Sequence, residues 1–134
     1  MCGIVGYVGS RAAEEVVIGG LQRMEYRGYD SAGIAVTKPG GSLHTVRSVG
    51  RLNALSRLLS AQEPPEDCGI GVGHTRWATH GRVSESNAHP HRDCHGAVAV
   101  VHNGIIDNAD ELRALLEGRG HRFDVVRADP VVPH

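Results

Sequence analysis

One hundred and thirty-four residues, 40% of them hydrophobic, fit one domain or part of one, with a core that hides roughly two-thirds of the unfolded surface, and exclude a multidomain enzyme. Fourteen Lys and Arg against fifteen Asp and Glu leave a formal charge of -1, so no basic stripe recommends a nucleic acid as partner. The longest apolar runs, such as Ala97 to Val101, hold a few residues against the about 20 of a spanning helix, so no membrane partner is expected.

In chain order, the amino terminus has no basic segment followed by an apolar stretch, so no secretory signal is read and a cytoplasmic location is expected. Three cysteines, Cys2, Cys68 and Cys94, are an odd number and argue against disulfide stapling. Ile4 to Val8, bounded by Gly3 and Gly9, predicts a buried strand at the very start of the chain. Ala13, Val17, Leu21 and Met24 recur at helical spacing over Arg11 to Glu25, with Glu14, Glu15, Gln22 and Arg23 opposite. Arg27 to Gly33 breaks both periodicities and is expected to be an ordered loop. Ile34 to Thr37 and Leu43 to Val49, separated by Lys38-Pro39-Gly40-Gly41-Ser42, predict a hairpin with a five-residue loop. Leu52, Leu55, Leu58 and Leu59 mark a short helix, and Glu63 to Asp67 a surface loop.

Ile70 to His74 predicts a strand. Thr75 to His95 is polar, rich in His and without period, so it reads as a long loop of the kind that usually carries function. Val98 to Val101 predicts another buried strand, closed by the turn signal His102-Asn103-Gly104. Asn108 with Glu111 three residues on gives a capping-box start for a helix through Leu112, Leu115 and Leu116 that ends near Gly118 or Gly120. One weak strand follows Phe123.

Cys2 is the most informative position. Trimming of an initiator Met leaves cysteine first, with thiol and α-amine on one carbon; in model compounds both groups titrate within about two units of neutrality, so the amine can serve as the thiol's base. Against a chance Met-Cys stands Gly3-Ile4-Val5-Gly6, which would fix the terminus on a strand where chain ends otherwise fray. Asn103 and the Gly104 backbone N–H offer two donors to a developing oxyanion; an ordinary Asn-Gly turn is the alternative. Arg76 could hold a carboxylate through its planar fork, or form a solvated salt bridge. His89, His91 and His95, with Cys94 among them and His74 and His80 not far before, invite a zinc reading. No Cys-x2-Cys pair or His-Glu-x-x-His helix accompanies them, so no metal ligand is assigned and hydrogen-bonding loop histidines are expected. The Gly-rich stretches lack Gly-x4-Gly-Lys-Ser/Thr, so no nucleotide cofactor is expected either.

Taken together, Cys2-Gly3-Ile4-Val5-Gly6-Tyr7, Glu25-Tyr26-Arg27-Gly28-Tyr29-Asp30-Ser31-Ala32-Gly33, His74-Thr75-Arg76-Trp77-Ala78-Thr79-His80-Gly81, Asn87-Ala88-His89-Pro90-His91 and Val101-His102-Asn103-Gly104-Ile105-Ile106 resemble the glutaminase domain of the glutamine-fructose-6-phosphate aminotransferase family. These are class II glutamine amidotransferases. The first block alone also fits amidophosphoribosyltransferases, asparagine synthetases and glutamate synthases; the Tyr-Arg-Gly-Tyr-Asp-Ser-Ala-Gly and Thr-Arg-Trp-Ala-Thr-His-Gly blocks narrow it. The resemblance runs from residue 2 to about 123 and implies an α+β fold, the αββα sandwich of the N-terminal nucleophile hydrolases. It implies that Cys2 attacks the glutamine side-chain amide and that Asn103 and Gly104 stabilise the oxyanion. It also implies that Arg76, with Thr79 and His80, holds the α-carboxylate, and that Trp77 sits where ammonia passage is gated. Glutamine is then the substrate, with fructose 6-phosphate an acceptor only through an isomerase domain; a homo-oligomer or a complementing chain is the protein partner to expect. No cofactor is implied.

Two departures qualify the resemblance. The family follows with a Ser-x-Thr-Asp-Thr-Glu type segment whose Asp binds the substrate's α-amino group, and Ala128 stands where that Asp aligns; Asp129, one residue late, would point to the opposite face of a strand. The family's glutaminase domain is also nearly twice as long, so residues 1–134 read as a truncated glutaminase domain without its sugar isomerase domains. Apolar faces left uncovered by that truncation would aggregate or melt with poor cooperativity. A non-catalytic remnant or binding module, and a zinc-binding domain, are the competing expectations.

Overall fold

A computed structural model describes residues 2–28, 30–62, 69–77 and 83–123. Gly3–Val8 (β1) leads into the helix Ala13–Met24 (α1) and a 3-10 turn at Glu25–Arg27. Ser31–Thr37 (β2), Leu43–Val49 (β3), Leu52–Ser60 (α2) and Ile70–Arg76 (β4) follow, then the two-residue strands His91–Arg92 (β5) and Ala99–Val100 (β6) and the helix Ala109–Glu117 (α3). The main sheet has the order β1-β4-β2-β3, antiparallel throughout, and β5 and β6 form a separate two-stranded sheet.

The hairpin forms as its turn residues predict: Thr37 pairs with Leu43, and Gly40 and Gly41 both take φ of +85° between them. Strand β4 sits between β1 and β2. A Cβ added at Gly71 would lie 2.9 Å from Val36 Cγ1 and 3.1 Å from Ala13 Cβ, and one at Gly73 would collide with Val17 and Leu21. The absence of side chains there lets α1 settle directly onto the strand. Residues 71, 73 and 75 therefore face the helices, while Val72, His74 and Arg76 face the other way. The core lies between the sheet and its two helices: Val17, Leu21, Ile34, Val36 and Leu55 are fully buried there, with Val46, Leu52 and Leu59 close behind.

Several expectations need correction. Strand β1 is not buried: it is an edge strand, with Val5 and Tyr7 packed on the core and Ile4 and Val8 exposed on the far face. Ser31, Ala32 and Gly33, expected in a loop, open β2, because they complete its pairing with Val49, Ser48 and Arg47. Thr75 and Arg76, expected to start a long loop, extend β4 against Gly3 and Ser31. Val98 to Val101 yields only the two residues of β6, and Val98 is 53% exposed, because its single partner β5 is equally short. Asn108 stands at the start of α3 without a side-chain capping bond. The carboxyl end follows expectation: Gly120 takes φ +89°, its N–H donates to Glu117 O and the His121 N–H to Leu116 O, the Schellman arrangement. The expected loop at Glu63 to Asp67 and everything after Phe123, Ala128 and Asp129 included, lie outside the described residues.

The segment beyond β4 comes closest to the main sheet at Gly33. A Cβ at Gly33 would overlap the His89 carbonyl oxygen, so the segment Asn87 to His91 crosses β2 directly on its backbone. That segment is buried throughout, and Ala88 O receives a 3.5 Å bond from Arg47 Nη1. Cys94 Sγ, 3.4 Å from His121 Nδ1, ties the β5–β6 turn to the segment that leaves α3.

Candidate functional site

Pairing of Gly3 with Thr75 brings Cys2, at the mouth of β1, level with the end of β4. The Trp77 N–H approaches Cys2 Sγ at 3.4 Å, and the thiol lies 3.8 Å from Trp77 O. From 101 residues away, Asn103 Nδ2 donates to Cys2 O at 3.4 Å, so the nucleophile candidate and the amide donor candidate share one place. Gly104 follows on an exposed bend.

Arg76, the last residue of β4, is 3% exposed, and its Nη1 donates to Asn87 O at 3.3 Å. Alternation along β4 puts its guanidinium on the same face as Cys2 and His74. Trp77, immediately beyond the strand, is 41% exposed. The structure thus gathers Cys2, Asn103, Arg76 and Trp77 at one edge of the far face; Thr79 and His80 lie outside the described residues.

Histidines line this region in a way the sequence did not indicate. His74 Nε2 lies 2.8 Å from Asn103 Oδ1. Its ring packs on His89 at a centroid distance of 4.4 Å, and His89 packs edge-on against His91 at 4.4 Å. Burial holds His74 below the usual histidine range, opposed by its hydrogen bond to Asn103. His89 is pushed down to about 2, first by burial and then by the neighbouring His74, His91 and Arg76. Both are neutral at physiological pH. His74 hydrogen-bonds from strand β4 and not from a loop, and His89, in the loop, has two ring nitrogens with no hydrogen-bond partner among the described residues. The rings pack tilted and edge-on against one another, and among the described residues no group of three His, Cys, Asp or Glu side chains is placed to hold a metal ion. His74 lay in plain view: counting back by two from Arg76 along β4 places it on the site's face.

No protein-family model matches the chain. It is 54% identical over all its 134 residues to the glutamine–fructose-6-phosphate aminotransferase [isomerizing] of Symbiobacterium thermophilum, and covers 22% of that protein. Over 92% of its length it is 55% identical to the enzyme of the same name from Mycolicibacterium smegmatis, of which it covers 20%. The chain thus spans about a fifth of the length of these relatives. Among solved structures, a glutamine phosphoribosylpyrophosphate amidotransferase from B. subtilis, complexed with ADP and GMP, superposes with a TM-score of 0.73 at 27% identity. That match covers 95% of this chain and 27% of the other. A structure described as the allosteric regulatory enzyme of purine biosynthesis gives a TM-score of 0.74 at 26% identity. The expected αββα N-terminal nucleophile hydrolase fold is the one the chain adopts. In sequence, the chain is thus similar to the amino-terminal part of glutamine–fructose-6-phosphate aminotransferases.

Proposed function

We propose that the chain is the first part of a glutaminase domain and, once Met1 is removed, hydrolyses the side-chain amide of glutamine. The observation that carries this reading is the meeting of Cys2 with Asn103, whose Nδ2 lies 3.4 Å from Cys2 O. The Cys2 thiol passes its proton to the residue's own α-amine and sulfur bonds to the amide carbon, placing negative charge on the former carbonyl oxygen. Asn103 Nδ2 and the Gly104 N–H stabilise that charge. The carbon–nitrogen bond then breaks, the proton returns to nitrogen, and ammonia leaves with a thioester at Cys2. Water attacks the thioester, releasing glutamate and restoring the thiol. Arg76, with Thr79 and His80, holds the substrate α-carboxylate, and Trp77 borders the path of the ammonia. In the whole protein the ammonia is used on fructose 6-phosphate by sugar isomerase domains carried outside residues 1–134, giving glucosamine 6-phosphate.

A diazo-oxo-norleucine label combined with intact mass tests the reading directly. The expected product lacks Met1 and carries one label on Cys2, and Cys2→Ala loses both the label and glutamine hydrolysis, by at least about a thousandfold. A product that retains Met1, or one that labels equally in Cys2→Ala, removes the proposed catalyst. Glutamine binding without labelling or turnover would instead mark a non-catalytic binding module.

A further inference from the structure

Resting on the proposed function, we infer that His74 is a positioning residue: its Nε2–H holds the Asn103 side-chain amide so that Nδ2, and not Oδ1, is turned toward Cys2. An asparagine amide fits its site equally well in either of two orientations, related by a half-turn, and only its partners choose between them. One orientation puts a donor where an oxyanion forms; the other puts an oxygen there, which would repel it. In this structure Nδ2 faces Cys2 O at 3.4 Å while Oδ1 faces His74 Nε2 at 2.8 Å, so the shorter of the two bonds is the one to His74.

The imidazole is built to donate at that point. A neutral ring carries one N–H, and His74 is neutral because it is 1% exposed beside the Arg76 guanidinium. Its other nitrogen, Nδ1, is buried with no hydrogen-bond partner among the described residues. Placing the proton on Nδ1 would orphan a buried donor and leave two acceptors, Nε2 and Oδ1, face to face. The proton on Nε2 satisfies the Asn103 oxygen and leaves only a bare ring nitrogen unbonded.

The ring is also held in place. Backbone pairing fixes His74 on both sides, to Ile4 on β1 and to Gly33 on β2. The close approach of the His89 backbone over Gly33 then sets the His89 ring against His74 at 4.4 Å. His74 acts through Asn103 and gives no proton to substrate.

The test uses the full chain. At neutral pH the parent's imidazole nitrogen spectrum should show His74 as the neutral Nε2–H tautomer; the Nδ1–H tautomer would overturn the inference. His74→Leu, similar in volume but without a donor, should lower kcat for glutamine hydrolysis about tenfold or more while KM stays within about twofold. His74→Gln, whose amide nitrogen reaches nearly to the position of Nε2, should recover kcat to within about threefold of the parent. An unchanged kcat in His74→Leu, a loss confined to KM, or a His74→Gln no better than His74→Leu would overturn it. A parent without glutaminase activity defeats the proposed function alone. The Asn103 side-chain amide resonances then decide about His74: they should move in His74→Leu and return in His74→Gln, and their failure to move counts against it. If His74→Leu does not fold, the parent's tautomer decides.

Discussion

Strands β4 and β6 are both predicted as short strands from the sequence, yet they end in different circumstances. β4 has a partner on each side and a helix on one face; β6 has one partner of two residues and remains half-exposed. The same contrast separates two of the helices. α2 buries Leu52, Leu55 and Leu59, whereas α3, with a comparable pattern of leucines, buries none of its residues. A periodic apolar face is a capacity to pack, and whether it is used depends on what the chain places opposite it. The candidate site straddles this boundary: Cys2, His74 and Arg76 come from the well-packed sheet, and Asn103 and Gly104 from the thin layer.

Four measurements would break or sharpen that contrast. The largest effect is expected from Leu55→Ala, which opens a cavity at a fully buried position and should cost about 3 to 5 kcal/mol in urea unfolding, enough to leave a marginal domain unfolded. Its counterpart Leu115→Ala, at a position 50% exposed, should stay within about 0.5 kcal/mol. Equal costs would mean that the two layers are packed alike.

Next comes Gly33→Ala. Its methyl would collide with the His89 backbone, so the crossing segment must lift, at about 2 to 3 kcal/mol in thermal unfolding. Gly6→Ala on the exposed face of β1, where a Cβ meets nothing within 4 Å, should change stability by less than about 0.5 kcal/mol.

The third is pH. His89 has a folded pKa of about 2 against an ordinary 6.5, so between these values the unfolded chain binds the extra proton and stability falls as pH falls. At about 1.4 kcal/mol per unit, acidification from pH 6.5 to 5 should cost about 2 kcal/mol through His89 alone. Stability is fully retained above pH 6.5. His74, shifted the same way, adds to the slope. His89→Leu should flatten this part of the profile; an unaltered slope would place the acid sensitivity elsewhere. The smallest effect is Gly120→Ala: a side chain at φ +89° should cost about 1 kcal/mol, read as faster amide exchange in the last turn of α3 alone.

Local chemistry made some of this legible in advance. The hairpin followed from Lys38-Pro39-Gly40-Gly41-Ser42, the end of α3 from Gly120, and the helices α1 and α2 from their leucine and valine spacing. Arg27 to Gly33 misled because Ser31, Ala32 and Gly33 have no strand-forming side chains; they are strand only because β3 and β4 pair with them. Cys2, Asn103 and Arg76 could be named from their motifs, and the fold brings them together. His74 was in view but without a role, since its partner Asn103 lies 29 residues on.

The family resemblance, the helices, the hairpin and the chemical types at the site were legible in the residues alone, because motifs, periodicity and turn residues act over a few residues at a time. Packing of distant segments made β1 an edge strand, kept β6 short, and brought His74 to Asn103 while leaving His89 without a hydrogen-bond partner among the described residues. Those outcomes depend on which segments distant in the chain come to lie against one another, and burial, pairing and the proton's place on a ring are set by that neighbour rather than by the residue itself.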